Sequence, residues 1–514
     1  MAIPGLPIAK PIEGEAPASY ARVTPAQWTE AARLVHESGA RLVALWGADR
    51  RDAAGAFSVY AAYATSEGIT VLDLHLASAE ESYPDLSGLF PCASRMQRAV
   101  HDLLGLVAEG ATDLRPWLRH GAWRPHDHPL RRDFDPDAFR ANAIESYPFV
   151  RVEGDGVHEI AVGPIHAGVI EPGHFRFSVV GEKVLRLEER LGYAHKGIER
   201  RFGDFTLAEG YRLAGRCSGD STVAYAWAYA QAAESVLAIV VPPRARWLRA
   251  LMLEAERIAN HLGDLGALGN DAAFGFALAQ FSRLREDWLR ACDGFCGHRL
   301  MMDRVVPGGV AADIDADAAG AIAARADSIE KEAREMREIF DEHSGMQDRF
   351  INTGRVTPEL AKRLGLVGLA GRASGQALDL RVDFPVEPYS RLQVRKVVHA
   401  GGDVAARVRV RFDELFESLR LVRAILDSMP AGGTRVELPE PRPGAFGVGW
   451  IEGWRGEVFV AIEAGEGGRI RRAHAHDPSW QNWPLVEHAI MGNIVPDFPL
   501  INKSFNLSYS GPDL

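Results

Sequence analysis

Four cysteines in 514 residues, Cys92, Cys217, Cys292 and Cys296, are too few and too scattered for a disulfide framework, which points to a reducing compartment. Also missing is the run of ~20 apolar residues that a membrane-spanning helix requires. The most apolar stretch, STVAYAWAYAQAAESVLAIVV (221–241), is interrupted by Gln231 and Glu234 and is expected to be a buried helix. Basic charge is not in excess: 58 Lys and Arg face 69 Asp and Glu, a net of −11, which opposes a nucleic-acid surface. Neither a P-loop nor a G-x-G-x-x-G is present, so no motif for nucleotide binding is visible. The first twenty residues, MAIPGLPIAKPIEGEAPASY, lack a basic region before an apolar stretch; they do not form a signal peptide and read as a Pro-rich flexible tail.

What is present is the composition of a soluble globular protein, 47% hydrophobic and 25% charged, in a chain long enough for two or three domains. Thr24, Pro25 and Gly39 bracket a helix over 24–38. RLVALWGA, AFSVYAAYA and ITVLDLHLA alternate with period two, as three strands of a half-covered sheet would. A helix in SRMQRAVHDLLGL completes a small α+β domain over 21–125, after the tail 1–20. A linker rich in Pro, Asp and Arg is expected over 126–150. The remainder, 151–514, opens with a β-hairpin region and is then mainly helical, with small β regions near the end; the overall class is α+β. In PPRARWLRALMLEAERIANHLGDLG the glycines after Leu262 and Leu265 are expected to end the helix.

One stretch has the spacing of a metal clasp without its ligands. In RCSGDST (216–222) the two positions of a Cys-x-x-Cys pair are Ser218 and Ser221. Around it lie GPIHAGVIEPGHFRF, HKGIERR, VVPGGV, RASGQALDLRVDFPVEPY and GNIVPDFPLI, after YPDLSGLFPCASRMQRAVHDLLGL, DLRPWL and HPLRRDF. By these motifs the chain resembles a fusion of the 30 kDa-type and 49 kDa-type subunits of respiratory complex I. It is most similar to the large subunits of group 4 membrane-bound [NiFe]-hydrogenases of the hydrogenase-4 and formate hydrogenlyase type.

The resemblance implies a nickel–iron centre on two Cys-x-x-Cys pairs, since soft thiolates hold nickel and bridge it to iron. In this sequence the matching positions are Ser218, Ser221, Ser508 and Gly511, with Cys217 one residue out of register. No metal bound by this chain is therefore expected. DPSW (477–480) precedes NWP instead of following PLI and is not the second pair. Glu199 matches the family's proton-carrying Gly-x-Glu; its alternative is a salt bridge to a neighbouring arginine. Arg381 and Asp383, with Asp379, form either a cluster at the same cavity or an ion-pair network in the core. Asp220 adds a carboxylate where the hydrogenases are apolar. His166 and His174 lie on the hairpin that reaches the quinone cavity in complex I, although its partner tyrosine is replaced by Gly219. Cys292, Cys296 and His298 are expected to pack in a helical core, and His261 to make a buried hydrogen bond.

The expected role is that of a large subunit whose electrons come from a [4Fe-4S] cluster in a small partner subunit and reduce quinone or another acceptor. Membrane antiporter-like and ferredoxin-like subunits would complete the assembly, with this chain held peripherally on the cytoplasmic face and any link to NAD running through another subunit. A scaffold or coupling subunit with no redox substrate is the second reading; a true hydrogenase is opposed by the ligand count.

Overall fold

The computed structural model describes residues 9–77, 80–137, 146–167 and 170–514. Thr24 caps the first helix, Pro25–Glu37, through a reciprocal capping box with Gln27. Five strands form the N-terminal sheet, side by side in the order Lys10–Ile12, Ala18–Val23, Gly68–Ala77, Ala56–Thr65 and Arg41–Arg50. Two of these strands fall in or beside the segment read as a flexible tail, because Ala18–Val23 pairs in parallel with Gly68–Ala77.

The sheet is also covered on both faces, not one. Trp28 and Val35 on the first helix and Val100 and Leu104 on the helix Ala93–Leu104 bury one side against Leu45 and Leu72. On the other side Val43, Trp46, Tyr60 and Ala62 pack against Val448, Trp450, Phe459 and Ala461 of the larger domain. Apolar residues fill both registers of these strands for that reason. Of the stretch read as a linker, residues 138–145 lie outside the described residues. The part before them is tied down: Leu130 N donates to Leu103 O at 3.0 Å and Arg132 N to Asp49 Oδ2 at 2.9 Å.

The larger domain begins with an antiparallel sheet of Val157–Val162, His174–Val180 and Lys183–Arg190. The helix Thr222–Leu237 is buried along its whole length, between the helix Pro243–Asp271 and the sheet of Phe446–Glu452, Glu457–Ala464 and Ile470–His476. The helices Pro243–Asp271, Gly275–Cys296, Ala316–Glu342 and Val404–Ser428 pack beside one another.

The helix Pro243–Asp271 continues past the glycines expected to end it. Gly263 and Gly266 face the next helix, where an added Cβ would lie 3.2 Å from Arg285 Cδ and 3.1 Å from Phe281 Cβ; at Gly269, one turn further on, it would lie 2.4 Å from Ala277 Cβ, so these glycines allow close helix contact and do not break the helix. Gly269→Leu is expected to lower stability by about 2 kcal/mol despite the gain in helix propensity, read as a lower thermal midpoint.

Candidate functional site

The chain brings together the two distant segments that the sequence singled out. Ser218 stands before the one-turn helix Gly219–Ser221, and Ser508 before the short helix Ser510–Asp513. Ser508 Oγ donates to Ser218 Oγ at 3.1 Å and accepts from Gly511 N at 2.9 Å. Ser479 Oγ holds Ser508 N at 2.9 Å, and Trp483 Nε1 holds its carbonyl at 2.8 Å. Ser218 Oγ donates to Asp220 Oδ1 at 2.9 Å, and Ser221 Oγ lies 3.4 Å from the same oxygen.

A residue the sequence reading missed stands at the centre. Arg455, in the tight turn between Phe446–Glu452 and Glu457–Ala464, grips Asp220 at 2.7 and 2.6 Å. The same guanidinium reaches Ser221 Oγ at 3.1 Å and the carbonyl of Asn506 at 2.6 Å, and its plane lies 4.0 Å over Trp454. This bidentate geometry is the strong form of an ion pair. Burial opposes ionisation of Asp220, but Arg455 prevails and holds its carboxyl below the ordinary carboxylate range. Arg455 is 7% exposed at its side chain, whereas Asp220 keeps 38%, on the side of exposed Gly219.

Behind the pair, Trp454 Nε1 and Asn260 Nδ2 both donate to the carbonyl of Asp220, at 3.0 and 2.8 Å. Glu256 accepts from Val223 N at 2.6 Å and Ala224 N at 3.2 Å, at the start of the buried helix. Burial raises its carboxyl to about 8 against those two hydrogen bonds. The only trace of this pair in the sequence is the opposite charge of Arg455 and Asp220, 235 residues apart.

Comparison with known proteins agrees along most of the chain. The family pattern described as "Respiratory-chain NADH dehydrogenase, 30 Kd subunit" matches residues 21–140, and that of the 49 Kd subunit matches residues 272–445. The chain is 31% identical to formate hydrogenlyase subunit 5 of Escherichia coli (strain K12), covering 93% of this chain and 86% of the relative. The figures for hydrogenase-4 component G of the same organism are 32%, 93% and 85%. This chain belongs to the complex I / group 4 [NiFe]-hydrogenase large-subunit family, in its fused 30 kDa/49 kDa form. The fold is shared with a chain of the membrane-bound sulfane sulfur reductase, an archaeal respiratory membrane complex. That match has a TM-score of 0.66 and 23% identity, and covers 70% of this chain and 99% of that one.

The residues that the sequence resemblance aligns with the family's nickel–iron ligands do not suit that group. Ser218, Ser221 and Ser508 offer hydroxyls, and the fourth place is Gly511. A Cβ added there would lie 2.5 Å from Asp477 Cγ, a contact no cysteine could accept without displacing that buried carboxylate. The Arg455 guanidinium, itself a cation, lies within hydrogen-bonding reach of Ser221. Cys217 turns away into the core, its Sγ 3.9 Å from Leu213 O, and burial pushes its thiol up to about 12. Cys296 Sγ instead reaches the carbonyls of Cys292 and His298, at 3.1 and 3.3 Å. Among the described residues no group of three or more His, Cys, Asp or Glu could hold a metal ion.

The other sequence candidates are distributed elsewhere. Glu199 is 8% exposed and bound by Arg472 Nη2 at 2.9 Å and His474 Nδ1 at 2.6 Å. His474 stacks on Trp46 at 5.0 Å and Arg472 Nε donates to Gly47 O at 2.8 Å, so Glu199 fastens the two domains. Burial opposes its ionisation, yet the Arg472 guanidinium, helped by the hydrogen bond to His474, holds it at about 2; burial lowers the pKa of His474 as well, so Arg472 is the permanent charge. Being depressed below an ordinary value of 4.5, this pKa contributes stability above that value and loses it as pH falls toward 2. The contribution is about 3 kcal/mol, and Glu199→Gln is expected to flatten acid unfolding between pH ~5 and ~2, followed by circular dichroism.

Arg381 pairs with Asp379 (3.0 and 2.7 Å) and Glu254 (3.2 Å), inside a network that includes Arg257, Arg372, Glu414 and Glu452. The serine cluster lies across the 452–455 turn, where Arg257 holds the carbonyls of Glu452 and Gly453. Asp383 accepts from Asp379 N and from Lys396 Nζ, at 2.9 and 2.6 Å, so it closes a local turn and is not paired with Arg381. His261 bonds Glu414 at 3.0 Å, the expected buried contact. His166 and His174 bond carbonyls within their own hairpin, Gly173 O at 2.8 Å and Gly163 O at 3.3 Å. That hairpin still meets the site: Glu171 Oε2 accepts from Tyr509 N and Ser510 N, both at 3.1 Å.

Proposed function

We propose that this chain is the large subunit of a membrane-attached, complex I-like oxidoreductase that works without a nickel–iron centre. Electrons come from a [4Fe-4S] cluster in a neighbouring small subunit and reduce quinone or another acceptor beside Ser218, Asp220, Ser221, Ser508 and Arg455. The single observation that carries this reading is the bidentate Arg455–Asp220 pair among the former ligand positions.

Reducing a quinone to its quinol takes two electrons and two protons. Asp220 is held as an anion by Arg455 and so orients and balances charge; it does not supply protons. Glu256, with its carboxyl at about 8, keeps its proton at neutral pH and is a reserve close behind the site. The hydroxyl of Ser221, whose contact with Asp220 is long at 3.4 Å, can turn to donate to an oxygen that gains charge, while Ser218 and Ser508 hold the carboxylate in place. No described helix is long and apolar enough to cross a membrane. Antiporter-like subunits would hold the chain on the cytoplasmic face and carry out ion translocation, with a ferredoxin-like subunit feeding electrons.

The locked state of Glu199 and Arg381 favours the second reading, a scaffold that docks the iron–sulfur subunit without a substrate of its own. Co-purification of the assembly followed by a test for quinone-dependent oxidation decides between them. Turnover supports catalysis; an intact assembly inert to every acceptor supports the scaffold.

A further inference from the structure

We infer that the cleft between the N-terminal sheet and the segment 439–446 binds a planar nitrogen heterocycle carrying an anionic tail, the chemical pattern of a nucleotide. The cleft encloses about 830 Å³, well within the size of small-molecule sites, and lies at a domain boundary where such sites concentrate.

Its lining divides into three parts. One wall is aromatic: the Phe446 ring lies 5.5 Å from Tyr20 and 5.9 Å from Tyr60, the latter nearly parallel at 16°, which continues naturally into a stacked third ring. The mouth carries three cations, Lys10, Arg22 and Arg442, against two exposed carboxylates, Glu13 and Glu440. Arg22 is 56% exposed and meets Asp73 only at 3.5 Å; Lys10 and Arg442 make no ion pair among the described residues. The floor holds Arg50 and Glu463. Glu463 is 4% exposed; its Oε1 lies 3.1 Å from Arg50 Nη2 and 3.7 Å from Arg471 Nε, ion-paired but without a directed hydrogen bond, and Arg50, 3.6 Å from Asp73 through Nη1, leaves its buried Nε unpartnered.

Buried polar atoms without partners ask for an explanation, and a ligand supplies one. Glu463 needs an N–H donor and Arg50 Nε needs a carbonyl acceptor. A ring with adjacent N–H and C=O groups, as in guanine, provides both from one edge, while its face stacks on Phe446 and its phosphate meets the three cations. The missing glycine-rich loop does not oppose this, because side-chain cations at the mouth would neutralise the phosphate.

The test is calorimetric titration of the full chain with guanosine monophosphate as probe, beside guanosine and inorganic phosphate. Saturable one-to-one binding of the nucleotide is expected, with guanosine and phosphate each weaker by about 10-fold or more. Phe446→Ala and the exposed Arg442→Glu should each weaken it about 10-fold. Circular dichroism checks that each variant is folded; should Phe446→Ala not fold, Arg442→Glu and Lys10→Glu decide alone. The inference is overturned by absence of saturable binding in the millimolar range, by phosphate binding as tightly as the nucleotide, or by affinities that the folded variants leave unchanged.

Discussion

Arg381→Ala is expected to unfold the chain before it slows any reaction. The guanidinium is buried, and its removal leaves Asp379 and Glu254, both fully buried, with their largest source of compensation gone. Tyr389 and Ser418 still donate to Glu254, at 2.8 and 2.6 Å, and Arg257 remains 3.3 Å away, but Asp379 loses both of its charge-assisted bonds. Breaking one side of such a buried pair costs about 3–5 kcal/mol, a large share of a domain's stability. Thermal denaturation checks this. An unchanged melting temperature would mean that Arg381 is not structural and return it to the list of catalytic candidates.

The second large effect is on turnover. Asp220→Asn keeps the shape of the site but removes the charge that orients Arg455; Arg455→Met removes the guanidinium and its hold on Asn506 O. Because Asp220 is partly open to water, the stability cost of losing Arg455 is expected to be smaller than that of losing Arg381, whose partners are fully buried. Quinone-dependent oxidation by the assembled complex should nevertheless fall by about 100-fold or more in both variants, the scale of losing a preorganised electrostatic group. Turnover equal to that of the parent complex, in intact assemblies, would support the scaffold reading.

Periodic elements were legible in the sequence. The capped first helix, the three long strands and the helices of the larger domain follow from caps, alternation and apolar faces near their expected places. Coverage of the N-terminal sheet was not, because alternation cannot say that Phe459 and Trp450, some four hundred residues away, close its second face. The helix through Gly263, Gly266 and Gly269 was cut short because glycine signals both helix ends and close packing, and only the neighbouring helix distinguishes them.

At the site the same division holds. Ser218, Ser221 and Ser508 could be placed by motif and converge as that placement implies. Arg455 could not, since its partner Asp220 is 235 residues away and no local pattern links them. Glu199 and Arg381 carried the right charges for a cavity but are saturated by partners, His474 and Arg472 for one and Asp379 and Glu254 for the other.

The account is tested most directly by the nickel content of the intact complex, purified after expression with an active nickel-insertion system and measured by mass spectrometry of the metals. A guanidinium–carboxylate pair among hydroxyls predicts only trace nickel, together with iron fully accounted for by the iron–sulfur subunits. Stoichiometric nickel that stays with this chain through purification would contradict it.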